Sequence, residues 1–199
     1  MNYNSVMEDI IKKLKNKPKL LIHACCGICS SSVIERLNNF FQITILYYNP
    51  NTYPKEEYIK RYDTLKKLID KMKISIEIME VGYDSERFYL TSKGLEKEKE
   101  GGLRCKECFK LRLEKTAKIA KENGFDYFST TLTVSPHKNS NLINEIGSKL
   151  EKKYKIKYLY SDFKKKEGFK RSNELSRMYN LYRQNYCGCK FSLEESRGH

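Results

Sequence analysis

The sequence predicts an α/β protein, a parallel sheet covered by helices on both faces, and three observations carry that prediction. Short apolar runs at 20–23, 41–48, 74–81, 125–130 and 156–160 read as buried strands. Longer segments with apolar residues at helical spacing alternate with them, which is the pattern of a sheet with crossover helices. A turn crowded with cysteines follows the first run, at the carboxyl end where ligands sit in such sheets.

Taken in order, Val6, Ile10, Ile11 and Leu14 give residues 1–16 the spacing of a short packing helix that ends before Pro18. Leu20 to His23 is the first strand, and the turn HACCGICS (23–30) leads into a helix over 31–39 through Val33, Ile34 and Leu37. Ile43, Ile45 and Leu46 mark the second strand, closed by the turn Asn49-Pro50-Asn51. Ile59, Tyr62, Leu65, Leu68 and Ile69 set a helix over 58–72, and 74–81 alternates as a third strand. Residues 86–102 are charged and include Gly94, Gly101 and Gly102. They suggest an insertion of about 84–108, carrying Cys105 and Cys108, within a single domain that spans 1–199. Phe109, Leu111, Leu113, Ala117, Ile119 and Ala120 predict a helix over 106–123, stopped by Asn123-Gly124. A fourth strand (125–130) follows, and Ser135-Pro136-His137-Lys138 opens a helix to about Tyr154. The fifth strand (156–160) ends at Ser161-Asp162-Phe163, and 172–182 is expected to be the last helix. The closing Arg197-Gly198-His199 carries no signal.

Composition narrows the class. With 199 residues, 39% hydrophobic, 15 Tyr and 9 Phe, the chain can build a core without disulfide staples, and an odd count of seven cysteines argues against a paired framework. No apolar run approaches the roughly 20 residues needed to cross a bilayer, and residues 1–19 are polar and lysine-rich rather than signal-like. The expectation is a cytoplasmic chain with no membrane contact, where clustered thiols serve as metal ligands or redox groups. The formal charge of +14, from 39 Lys and Arg against 25 Asp and Glu, is spread along the chain. It suits either a polyanionic partner or simply solvated helix faces.

The cysteines fall into three short groups with none left over: Cys25, Cys26 and Cys29; Cys105 and Cys108; Cys187 and Cys189. Thiolates suit zinc and iron–sulfur clusters alike. A structural zinc ribbon pairs its knuckles on short hairpins, whereas these groups lie about 80 residues apart, so a shared site depends on the whole fold. Seven thiols also exceed the needs of one four-iron cluster or one zinc ion. For Cys25, Cys26 and Cys29 three roles compete: cluster ligand, second-metal ligand and proton donor. Other candidates are individually weaker. His23 orients a thiolate, ligates metal, or is a satisfied core histidine. His137 is placed to contact phosphate or act as an acid. Asp162 occupies a strand end favoured for sites and equally for turns. Lys164, Lys165, Lys166, Lys170 and Arg171 form either a phosphate track or a solvated loop.

HACCGICS, the YYNPN turn at 47–51, GLRCKECFKLRLEKTA at 102–117, FSTTLTVSPHKN at 128–139, SDFKKKEGFKRS at 161–172 and LYRQNYCGCKFS at 181–192 together resemble the QueH family of epoxyqueuosine reductases, over roughly nine-tenths of the chain. The resemblance implies a tRNA-modification enzyme acting at the last step of queuosine biosynthesis. It would reduce the epoxide of epoxyqueuosine at the wobble position of a tRNA with a GUN anticodon. It also implies a 4Fe-4S cluster with an additional iron, no cobalamin, an external electron donor, a monomer, and a fold resembling the adenine-nucleotide α-hydrolase (HUP/PP-loop) group. Cys25, Cys26, Cys105, Cys108, Cys187 and Cys189 are the implied cofactor ligands. Cys29, at a position where the family carries Cys or Asp, joins them as a metal ligand, and Cys29, Asp162 and His137 are the implied catalytic groups. Lys138, Lys164, Arg171 and Arg183 are the implied contacts to substrate. The PP-loop signature Ser-Gly-Gly-x-Asp-Ser gives way to the cysteine turn, so no ATP use is expected. Two alternatives stand beside this reading: a PP-loop-like iron–sulfur tRNA sulfur transferase, and a non-catalytic zinc-stabilised RNA-binding module.

Overall fold

The computed structural model describes residues 1–197; Gly198 and His199 of the closing tripeptide lie outside them. Five strands, β1 (Lys19–His23), β2 (Gln42–Tyr47), β3 (Glu77–Glu80), β4 (Tyr127–Thr130) and β5 (Lys157–Tyr158), form one sheet in the order β3-β2-β1-β4-β5. Every pair is parallel, and His23 at the end of β1 stands opposite Leu46 and Thr130. Because side chains alternate across a strand, β1 feeds two cores. Leu20 and Ile22 pack with Val33, Ile34, Leu37, Leu65 and Leu68 on one face. Leu21 packs with Leu113, Ala117 and Ile143 on the other. Burying each such aliphatic side chain contributes ~1.5–3 kcal/mol, so a central strand with both faces covered needs the unbroken apolar run that the sequence supplies.

Six of the eight α-helices among the described residues cover the sheet. The first face carries α1 (Tyr3–Lys12), α2 (Gly27–Leu37) and α3 (Lys55–Met72), with α7 (Gly168–Met178) packed on α2. The second carries α5 (Leu103–Glu122) and α6 (Ser140–Tyr154). The helices α4 (Ser85–Ser92) and α8 (Lys190–Arg197) lie outside this layering, and Phe88 of α4 and Phe191 of α8 meet at ring centroids 6.3 Å apart.

Several elements differ from the periodicity. The first crossover helix begins at Gly27 rather than Ser31, because Cys26 is fully extended as its N-cap and the helix starts at once against α3. This puts Cys29 inside the first turn. The helix expected from Ser135 starts late: a single 3-10 turn, Thr131–Val134, follows β4, and α6 begins only at Ser140, where Asn139 accepts the Leu142 N–H at 3.1 Å. The residue before a proline avoids the helical region, and an asparagine N-cap a few residues later fixes the new start. His137 and Lys138 therefore stand in the loop ahead of the helix. The helix expected over 172–182 runs over Gly168–Met178 and is not the last, since α8 follows the third cysteine group. Within the charged stretch, 85–92 forms α4, and Cys105 and Cys108 stand on α5 itself.

Candidate active site and metal centre

Strand order reverses direction between β1 and β4, so a crevice opens beyond their carboxyl ends. The first cysteine group lies there. Gly27 allows it: a Cβ at that position would stand 2.9 Å from the Thr64 carbonyl oxygen of α3, so only glycine lets the two helices approach so closely. The sulfurs of Cys25, Cys26 and Cys29 come within 4.8 Å of one another, with Cys25 and Cys26 at 3.8 Å. Across the crevice the Thr131 hydroxyl lies 3.6 Å from the Cys25 sulfur, and the Gln184 amide donates to the Cys26 sulfur at 3.0 Å.

Three thiols so close cannot all ionise freely. Hydrogen bonds from Cys26 and Cys29 hold Cys25 well below the ordinary thiol range. Its loss of a proton pushes Cys26 up to about 11 and Cys29 well above the usual value. A cation is what would draw off the remaining protons, as thiolate metal sites require.

His23 is a satisfied core residue. It is completely buried, Nδ1 lies 3.0 Å from the Thr130 hydroxyl, and Nε2 faces the Tyr48 carbonyl at 3.1 Å and Asn49 Oδ1 at 3.3 Å. Two acceptors at Nε2 place the proton there, and burial holds the ring neutral with its pKa lowered to about 3. No nitrogen is left for a metal.

The second group stands on the first turns of α5, where Cys105, Cys108 and Arg112 follow one stripe at i, i+3 and i+7. The Cys105 sulfur accepts the Gly101 N–H at 3.2 Å. Cys108 packs with Cys189 and Phe88 in a small apolar cluster, and burial pushes Cys108 up to about 11 and Cys189 to about 12. The third group sits on the loop between α7 and α8. Arg61 of α3 donates to the Cys187 carbonyl at 2.9 Å and the Tyr186 carbonyl at 3.3 Å, while its Nε meets Glu57 at 2.7 Å. Gly188 takes a φ of 135°, and a Cβ there would lie 2.8 Å from Arg61 Nη1. A cysteine-glycine-cysteine loop is thereby moulded onto a buried arginine.

A cleft of about 1050 Å³ has Cys25, Cys29 and Cys187 on its wall, so the first and third groups share one cavity. His137, Lys138 and Arg183 line it too. His137 is exposed, while Lys138 is half-buried. Burial opposes the Lys138 charge, but Cys187, Cys25 and Cys29 raise its pKa above the ordinary lysine value. Arg183 is oriented by Ser176 at 2.6 Å and Asn173 at 2.8 Å. Asp162, Lys164 and Arg171 are not on the cleft wall. Asp162 is tied to Lys164 at 2.6 Å, and Arg171 grips Glu35 through two bonds of 2.7 and 2.8 Å. Lys166 and Lys170 are likewise paired, with Glu8 and Glu167. Sequence reasoning missed Arg61, Arg112 and Gln184. The one available signal was an arginine a turn beyond Cys108, on the same helical stripe.

The donor set fits a thiophilic metal group. Sulfur alone makes up the close trio among the described residues, and Nη2 of the buried Arg112 has no partner beside the thiols. Fold and site thus define an α/β protein built around a cysteine centre able to hold metal at its topological switch point. A family model described as "Epoxyqueuosine reductase QueH" matches residues 20–195. The chain is 42% identical over 201 residues to epoxyqueuosine reductase QueH of Staphylococcus epidermidis, covering 96% of this chain and 84% of the relative. It is also 42% identical to that of Streptococcus pyogenes, covering 98% and 79%. The chain belongs to the QueH family and is an enzyme of that oxidoreductase family. Among solved structures, the U34-tRNA thiolase NcsA from Methanococcus maripaludis with its [4Fe-4S] cluster aligns with a TM-score of 0.52 and 13% identity, over 98% of this chain and 69% of that one. At that identity the likeness concerns the course of the chain alone.

Proposed function

We propose that this enzyme is an epoxyqueuosine reductase that reduces the epoxide of epoxyqueuosine, at the wobble position of a tRNA with a GUN anticodon, to give queuosine. The observation that carries the reading is the meeting of Cys25, Cys29 and Cys187 on one cleft in a chain whose QueH match runs from residue 20 to 195. The seven thiols are assigned to a 4Fe-4S cluster and an adjacent iron, with Cys29 toward the latter. Neither cobalamin nor ATP has a part in the scheme. When bound, such a group supplies electrons singly from an external donor and a Lewis-acidic position for the epoxide oxygen.

Converting the epoxide to an alkene releases its oxygen as water and consumes two electrons and two protons. The residues of the cleft govern the proton half. His137, at the rim, is the proposed general acid, and it displaces Asp162 from that role because Asp162 is held by Lys164 away from the cleft wall. Lys138 keeps its charge beside the thiols and orients the substrate, and Arg183 is set to meet a flanking phosphate. Lys164 and Arg171 remain candidates only for outlying phosphates. The wobble base lies in a single-stranded loop, so it can enter the cleft without duplex opening. We further propose a HUP/PP-loop kinship, a single domain with the insertion of about 84–108 as its elaboration, a cytoplasmic monomer, and binding to the anticodon loop that weakens as salt rises. No helix of the described residues is long and apolar enough to cross a membrane.

The test is anaerobic reconstitution followed by assay with epoxyqueuosine-tRNA. Iron and inorganic sulfide bound per chain, with ATP-independent formation of queuosine, are expected. A colourless zinc protein without turnover would refute the reading. The likeness to NcsA favours one second reading, tRNA sulfur transfer, and ATP-dependent thiolation in the same assay would establish it instead.

A further inference from the structure

Three arginines are buried to 2% exposure: Arg61, Arg104 and Arg112. A buried guanidinium with no anion carries a penalty of several kcal/mol, and two of the three have one. Arg61 meets Glu57 at 2.7 Å and Arg104 meets Glu195 at 3.1 Å. Arg112 has no carboxylate partner among the described residues. Its Nε donates within its own helix to the Cys108 carbonyl at 3.3 Å, its guanidinium lies 5.7 Å from the Phe109 ring centre, and its Nη2 is buried with no acceptor at all.

Its helical stripe carries the Cys105 and Cys108 thiols. Burial opposes its charge, yet Cys108, Cys187, Cys25 and Cys105 raise its pKa above the ordinary arginine value. Those four residues come from all three cysteine groups, and on α5 Arg112 shares the face of Cys105 and Cys108, bonded to the Cys108 carbonyl. A guanidinium is a fixed fork of N–H donors that never loses its proton, and a donor aimed at cluster sulfur is one of the protein's levers on reduction potential.

We propose that Arg112 is a positioning residue for the metal group, its free Nη2–H hydrogen-bonding the sulfur face of an iron–sulfur group held by the surrounding thiols and its charge raising that group's reduction potential. The anion this arginine lacks is the one the thiols and their metal create. The inference rests on the reading of those thiols as iron–sulfur ligands, and it adds a function for a residue that touches neither cleft nor substrate.

The experiment compares wild type, Arg112→Gln and Arg112→Lys, each reconstituted anaerobically. Three quantities are read: iron and sulfide per chain, the midpoint potential by EPR-monitored titration, and nitrogen hyperfine coupling in protein grown on guanidino-15N arginine. In wild type the reduced cluster should couple to a labelled nitrogen. Arg112→Gln should load the same iron and sulfide, lose the coupling and shift the potential to a more negative value, while Arg112→Lys recovers part of that shift. An unchanged potential in fully loaded Arg112→Gln overturns the proposal. So does a wild-type cluster without nitrogen coupling, or a coupling that survives in Arg112→Lys. If Arg112→Gln fails to fold, the wild-type coupling decides alone. Wild type that binds no iron and sulfide would defeat the underlying functional reading, which is a separate result from loading normally without coupling.

Discussion

Removing Arg61 should destabilise the metal-free protein as well as the metal site. Arg61 and Glu57 are 2% and 8% exposed and joined at 2.7 Å, with Tyr182 donating to the second Glu57 oxygen at 2.9 Å. Arg61→Met would strand the Glu57 carboxylate with only that hydroxyl and would leave the Cys187 and Tyr186 carbonyls without their donor. Breaking a buried pair from one side costs ~3–5 kcal/mol, and the remaining Tyr182 bond puts the expectation toward the lower end. Converting Glu57 to Gln as well removes the stranded charge, so Arg61→Met/Glu57→Gln should lie closer to wild type than the sum of the single variants, with a coupling of roughly 2 kcal/mol. The assay is urea unfolding of apo-protein in reductant, with alkylation of Cys187 and Cys189 followed in parallel, since both should react faster once their loop is loosened. A loss below about 1 kcal/mol in Arg61→Met, or strict additivity in the double variant, would refute the reasoning.

Gly27→Ala should gain up to about 1 kcal/mol of helix propensity and lose more, because its methyl would sit 2.9 Å from the Thr64 carbonyl. Overpacking of this kind costs ~1–3 kcal/mol, so a lowered melting temperature is expected and an unchanged or raised one counts against the contact. Cys29→Asp should keep part of the reductase activity and all of the cluster sulfide, whereas Cys29→Ala should lose activity; loss of sulfide from Cys29→Asp would show that Cys29 binds the cluster itself. Glu114 offers a pH test. Burial opposes its charge, but Lys153 and Tyr154 hold its carboxyl below the ordinary value of 4.5. Its contribution is thus present above that value and lost as pH falls through the folded pKa. The stability gap between wild type and Glu114→Gln should close on acidification, and a gap that widens there would contradict the assigned direction.

The layered sheet was legible because its strands are buried on both faces and therefore continuously apolar, as at Leu20, Leu21 and Ile22. The thiol groups were legible because cysteines so spaced are rarely packing residues. What periodicity could not supply was the local chemistry of caps. Cys26 starts α2 with no side-chain hydrogen bond, relying on the close approach at Gly27, and Asn139 starts α6 after Pro136. A helix as short as α8 offers too few turns for a pattern to emerge. In the basic run at 164–171, which the sequence left open between a phosphate track and a solvated loop, Lys164 and Lys170 pair locally with Asp162 and Glu167, whereas Lys166 and Arg171 pair with Glu8 and Glu35, over 130 positions away, and no local reading could have supplied those two.

The three buried arginines explain how a segment with no strand of its own carries cysteines to the centre. Past α7 none of the described residues pairs with a sheet edge, so the Cys187-Gly188-Cys189 loop and α8 must be fixed from their flanks. Arg61 holds the carbonyls before and at Cys187, and Arg104 ties Glu195 of α8 to the Leu95 and Glu96 carbonyls. A lysine in either place would present one point charge to partners that lie in several directions, whereas a guanidinium reaches a carboxylate and two carbonyls at once. These two arginines each have their carboxylate without metal, and the scaffold they clamp can therefore form first. Of the three, Arg112 alone has no carboxylate among the described residues, and its buried Nη2 marks the place where the fold still lacks an anion. Metal loading should accordingly stabilise the chain by more than the closing of its ligand loops, and the excess should vanish in Arg112→Gln. Unfolding midpoints of apo and reconstituted protein, compared for both sequences, would show it, and an equal gain on loading in the two would mean that Arg112 is indifferent to the metal.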